Sequence, residues 1–100
     1  MIKDLPKIIC VCGNVYMEDL TFVGFQEEDK GNICIYNFED YDDKVKDLFF
    51  KKIDLAGELL VANLREEAYG DSAKEQVKYA VKTGKPVRWY NSDRIPENWI

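Results

Sequence analysis

From Ile8 onward, residues 7–12 (KIICVC) are all apolar, and the run stops at Gly13-Asn14. A strand with no polar side has no face to give to water. It has to lie inside a layered structure with neighbours above and below, and the Gly-Asn pair closes it with a turn. ICIYNF (33–38), β-branched and aromatic, reads as a second strand, ELLVANL (58–64) as a third doubly buried one, and KPVRWY (85–90) as a fourth.

Between the strands the apolar period lengthens from two to between three and four. In YMEDLTFVGFQEED (16–29), Met17, Leu20, Val23 and Gly24 fall near one helical face, with Gly24 costing about 1 kcal/mol relative to alanine. In DKVKDLFFKKIDLA (43–56), Val45, Leu48, Phe49, Ile53 and Ala56 recur at helical spacing, and Gly57 stands where a helix-ending glycine belongs. A third helix follows GDS (70–72). Its Ala73, Val77, Ala80 and Val81 share an arc against the sheet, Gln76 sits at the edge of that arc, and Glu75 projects from the opposite side. Ser72 and Glu75 also have the spacing of a capping box. The final NSDRIPENWI has turn character and predicts a packed tail carrying Trp99.

Strand alternating with helix predicts one α/β domain over residues 1–100, an open parallel sheet of about four strands in the order 2-1-3-4 with helices on both faces. Right-handed crossovers then place the first helix alone on one face and the other two together on the opposite face. The thinly covered face needs a second copy or the Trp99 tail to shield it, so a homo-oligomer is expected.

The net charge of −5, with 14 basic against 19 acidic residues and no Lys or Arg cluster, argues against a nucleic-acid surface. No apolar run is long enough to span a bilayer, and MIKDLPKII is too short and interrupted for a signal peptide. A cytoplasmic protein with no membrane partner is the expectation. Cys10, Cys12 and Cys34 lie in apolar runs and read as small buried hydrophobes. With no histidine and three sulfurs, neither a metal site nor a disulfide framework is indicated, and Cys10-x-Cys12 lacks the spacing of a redox pair. No cofactor is implied.

Ligands of open α/β sheets bind beyond the carboxyl ends of the strands, where the strand order reverses. Here that crevice lies between Gly13-Asn14, after the first strand, and Asp71-Ser72, after the third, with Gln76 one turn into the helix. GNVYME lacks both glycine-rich phosphate-binding patterns, and strand one does not end in an acidic cluster. Each candidate also has a plain structural reading: Gly13 and Asn14 as a turn, Asp71 and Ser72 as helix caps, Gln76 as a boundary polar residue.

IDLAGELLVANL followed by YGDSAKEQVKYAVKTGKPVRWY resembles small nucleoside 2-deoxyribosyltransferase-like proteins, whose corresponding segment reads K-I-D-x-A-D-x-x-x-V-x-N, then G-[DE]-S-T-x-x-E-I-x-Y-A-x-x-x-G-K-P-V-R-Y. The likeness runs through the C-terminal half; at the first strand, VCGNVYM stands where relatives show C-G-S-T-R-F. The resemblance implies a Rossmann-like domain, oligomers with sites near subunit boundaries, and, in true transferases, a glutamate nucleophile that attacks the anomeric carbon. Aligning Tyr79-Ala80 with the family's Tyr-Ala puts Gln76 at that nucleophile, and Asp71 resembles the preceding acidic residue at a spacing one shorter.

A neutral amide does not form and release a glycosyl ester as a carboxylate does. The leading expectation is therefore a protein that binds a nucleoside, nucleotide or related ligand at Gly13, Asn14, Asp71, Ser72 and Gln76 without glycosyl transfer. One alternative is an active N-glycosidic transferase or hydrolase using another carboxylate, from Asp71, Glu75 or a neighbouring subunit. Another is an interaction scaffold using the EDYDD loop (39–43) and Tyr16, Phe22, Phe25 and Trp99, aromatics for which core packing is the expected use.

Overall fold

A computed structural model describes residues 5–39, 44–65, 69, 70 and 72–99. Four strands, β1 (Ile8–Cys12), β2 (Ile33–Tyr36), β3 (Glu58–Val61) and β4 (Val87–Trp89), form one parallel sheet in the order β2-β1-β3-β4. The intervening helices are α1 (Met17–Asp29), α2 (Lys44–Leu55) and α3 (Ala73–Lys82). The expected α/β architecture and strand order are both present. Two single 3-10 turns, Ser92–Arg94 and Glu97–Trp99, form the tail.

β1 explains its own sequence. Cys10 sits opposite Ile35 of β2 and Leu59 of β3, so β1 has a strand on each side, and its side chains alternate between two covered faces. Ile9 and Val11 join Leu60 and Ala62 under Leu20 and Val23 of α1. Cys10 and Cys12 join Leu59 and Val61 under Ile53 of α2 and Val77 and Ala80 of α3. Burying side chains of this size contributes about 1.5–3 kcal/mol each, and from Ile9 to Cys12 β1 is wholly buried while β2 and β4 are only partly so.

Several sequence expectations are corrected. Met17, Leu48 and Val81, assigned to buried helical faces, are 62%, 47% and 48% exposed. Gly57 ends α2 without a left-handed turn; its N–H instead donates to Ile8 O at 2.6 Å, the first rung between β1 and the start of β3. Trp99 packs with Trp89 and Tyr69 on the face already held by α2 and α3, so it does not shield the α1 face. Tyr16, Phe22 and Phe25 lie at the surface and not in the core.

On the α1 side β4 is covered by polar reach. Arg88 joins Glu27 of α1 to Glu58 of β3, with Lys30 on the second oxygen of Glu27 at 2.8 Å. The Arg88 guanidinium holds the nearly buried Glu27 carboxyl below the usual glutamate range, against the opposing effect of burial. Phe22 meets the Tyr90 ring edge-on at 6.3 Å, and Gln26 hydrogen-bonds the Tyr90 hydroxyl.

The glycine inside α1 has a packing reason. The Tyr36 ring of β2 lies against Gly24, and a Cβ there would stand 2.6 Å from Tyr36 Cε1. Gly24→Ala is therefore expected to lower stability by about 1–3 kcal/mol despite the better helix propensity of alanine, because the ring has to move. Chemical denaturation of the variant checks this; a stabilised protein would show that Tyr36 does not set residue 24.

Candidate functional site

The carboxyl ends of β1 and β3 are stitched together. Gly13 turns the chain with φ +100°, and a Cβ on it would lie 2.7 Å from Val61 Cγ1, so glycine is required there on two counts. Its carbonyl accepts from Gly70 N at 3.3 Å, and Asn14 forms an isolated antiparallel bridge with Tyr69. Asn14 is fully buried: Oδ1 accepts from Tyr16 N at 2.8 Å, and Nδ2 donates to Asp19 Oδ2 at 2.9 Å and Ala62 O at 3.3 Å. Arg65 closes the cluster, donating to Asp19 Oδ1 at 2.8 Å and lying over the Tyr16 ring.

On the other side, four residues, two from the loop after β2 and two from the start of α3, form one hydrogen-bond chain. Asn37 Nδ2 donates to Gln76 Oε1 at 2.9 Å, Gln76 Nε2 to Ser72 Oγ at 2.9 Å, and Ser72 Oγ to Glu39 Oε2 at 2.9 Å. Ser72 N also donates to Glu39 Oε1 at 2.7 Å. The direction of the chain follows from its ends. Phe49 O, a pure acceptor, takes a second bond from Asn37 Nδ2 at 3.2 Å, so the amide nitrogen must face that way. Gln76 Oε1 then accepts, its Nε2 donates, and the single hydroxyl hydrogen of Ser72 goes to the carboxylate. Asn37 Oδ1 is buried with no partner among the described residues.

Glu39 reaches this position because residue 70 has no side chain. A Cβ on Gly70 would be 2.5 Å from Glu39 Cδ. The carboxylate also lies near enough to Cys12 to raise its thiol further, after the larger effect of burial. Burial likewise pushes Cys10 up to about 12 and Cys34 up to about 11, so these thiols stay protonated and unreactive at neutral pH. Among the described residues no cluster of three or more His, Cys, Asp or Glu is assembled for a metal.

Three of the five predicted residues lie in two separate hydrogen-bonded groups, Asn14 with Asp19 and Ala62, and Ser72 and Gln76 with Glu39 and Asn37. Gly13, Asn14, Ser72 and Gln76 all lie at the carboxyl edge of the sheet, each buried, with Gln76 only 1% exposed; Asp71 lies outside the described residues. Gln76 is interior, not at the edge of the helical arc. The capping box does not form. Ser72 has helical dihedrals and gives its hydroxyl to Glu39, while Glu75 points outward to an ion pair with Lys46 at 3.6 Å. The first-turn donor is thus capped by a carboxylate 33 residues away, a long-range substitution that local spacing does not reveal.

Sequence reasoning missed Glu39, Asn37 and Asn63 as organising residues. Glu39 falls in the EDYDD loop, which the sequence offers only as a contact surface for a scaffold. Asn63 is fully buried, donating to Asn91 O and Arg94 O and accepting from Asn91 N, which ties the tail to the end of β3. A polar residue at the end of an apolar strand was the available signal for both asparagines. Comparison of the chain with protein-family models, curated proteins and solved structures finds no match.

Ser72 has one hydrogen to give, and Glu39 takes it. Gln76→Glu would place a second carboxylate beside the same hydroxyl, costing about 2–4 kcal/mol at neutral pH. Like charges raise the proton affinity of such a pair above the ordinary glutamate value, so the folded variant binds more protons than the unfolded chain. Its deficit relative to wild type is expected to be full at neutral pH and to shrink as pH falls through that raised value toward about 4. Adding Glu39→Gln should restore stability at neutral pH. Denaturation across pH checks this; a deficit indifferent to both pH and Glu39 would show that the two positions do not compete.

Proposed function

We propose that this protein binds a nucleoside, nucleotide or related ligand at the carboxyl edge of its sheet, and that it does not transfer glycosyl groups through residue 76. The observation that carries this reading is the orientation of the α3 pair. The amide of Gln76 faces inward at the position where the resemblance puts a nucleophilic carboxylate, and its oxygen and nitrogen are both engaged. Glu75, the acidic neighbour, faces solvent and is no replacement. An amide in this setting neither forms a glycosyl ester nor acts as general base.

A second reading is favoured by Glu39. It supplies a partly exposed carboxylate two hydrogen bonds from Gln76, so a transferase or hydrolase using a different acid would use this one. Incubation with 2′-deoxynucleosides and a free base separates the two. We expect no base release or exchange above background, together with a rise in melting temperature for at least one nucleoside or nucleotide in a thermal-shift panel. Base exchange that disappears in Glu39→Gln would overturn the binding-only reading in favour of the second.

We also propose that the protein is a homo-oligomer through the outer face of α1, with no nucleic-acid or membrane partner. Met17, Phe22 and Phe25 are 62%, 53% and 59% exposed and occupy one arc of that helix, which is the thinly covered side of the sheet. No described helix is long and apolar enough to cross a membrane. Sedimentation at low concentration is expected to show an oligomer that Phe22→Glu/Phe25→Glu converts to a folded monomer. A wild-type monomer would refute the assignment.

A further inference from the structure

Within the Asn37–Gln76–Ser72–Glu39 chain, Asn37, Ser72 and Gln76 are sealed from solvent, and Glu39 is the member that reaches it. Its carboxylate is held in one orientation: Oε1 takes the Ser72 N–H, Oε2 takes the Ser72 hydroxyl, and Gly70 leaves the room. No other donor among the described residues reaches it. A carboxylate oxygen accepts about two hydrogen bonds, so one acceptor position on each oxygen remains, side by side and fixed in direction. A second buried acceptor of the same chain, Asn37 Oδ1, is also unmet among the described residues.

Paired acceptors of this kind match two adjacent hydroxyl groups. Glu39 lies three residues beyond the end of β2, and in doubly wound nucleotide-binding sheets an acidic residue in this region of the second strand accepts from ribose hydroxyls. We infer that Glu39 is the specificity-determining residue of the site, and that the group it takes is the vicinal 2′,3′-diol of a ribose. This rests on the nucleoside-binding reading above and narrows it: the preferred ligand carries ribose and not 2′-deoxyribose. A site built to hydrogen-bond a hydroxyl discriminates strongly against an analogue lacking it, because the oriented carboxylate is left unpaired.

The test is titration calorimetry and thermal shift with matched ribo-, 2′-deoxy- and 2′,3′-dideoxynucleosides, on wild type and Glu39→Gln. A glutamine at 39 can still accept from Ser72 N and donate to Ser72 Oγ, but it leaves the Ser72 hydroxyl hydrogen without its acceptor, so the variant's unliganded melting curve verifies folding. Glu39→Ala, checked in the same way, is the second variant. Expected for wild type is ribonucleoside binding about tenfold or more tighter than the 2′-deoxy form, weaker still for the dideoxy form. In Glu39→Ala the three forms should bind alike, and in Glu39→Gln, which keeps one acceptor position, the preference should shrink. Equal binding of all three by wild type overturns the role of Glu39 while leaving nucleoside binding intact. Discrimination that persists in both variants also overturns it. Binding of none of the three overturns this inference together with the reading beneath it.

Discussion

The hydroxyl of Ser72 is the point on which the carboxyl edge of the sheet is organised. It accepts from one amide and gives its only hydrogen to one carboxylate, so the identities of its neighbours are linked. Phe49 O fixes Asn37, Asn37 fixes Gln76, Gln76 fixes Ser72, and Ser72 requires an acceptor, which Glu39 provides. Apart from the Gln76–Ser72 bond inside α3, every step crosses between elements, from α2 through the loop after β2 to α3. A neutral residue at 76 is what the chain demands once Glu39 is present. The neutral amide at 76 and the carboxylate after β2 are two sides of one arrangement, in which Glu39 is partly exposed and Gln76 buried.

The same edge shows how a chain of 100 residues builds a polar region in which, among the described residues, Asn37 Oδ1 is the one buried side-chain oxygen or nitrogen without a partner. Asn14 satisfies a turn, a carboxylate and a strand carbonyl together, and Asn63 performs a comparable task for the tail. Buried polar groups are tolerated when their partners are fixed, and these partners are largely backbone atoms at strand ends, whose positions the sheet already determines. On the opposite face α1 alone has to cover three strands and reaches the fourth through Arg88, Gln26 and Phe22. The apolar surface left outward on α1 follows from that geometry.

Much of the architecture was legible in the chain. β1 is recognisable because unbroken apolar sequence has no other soluble use, and the alternation of its period with helical segments sets parallel α/β topology and the order 2-1-3-4. The inward turn of Gln76 and outward turn of Glu75 were legible too, since one step along a helix is a rotation of about 100°. Less legible were the partners. Ser72 and Glu75 fit a local capping pattern, yet the distant Glu39 outcompetes Glu75 because the Gly70 backbone lets it approach both the N–H and the hydroxyl. Phe22 and Phe25 looked like core residues because hydrophobicity does not specify which arc of α1 meets the sheet when Gly24 and Leu20 already do.

By itself, then, the sequence determined the periodicities, and through them the layers, the strand order and the facing of residues along each helix, because these follow from local backbone geometry. Only the tertiary structure decided which carboxylate caps the start of α3. Glu39 and Ser72 meet through a fold that returns the end of β2 to the start of α3, and a hydrogen bond across 33 residues leaves no trace in local spacing.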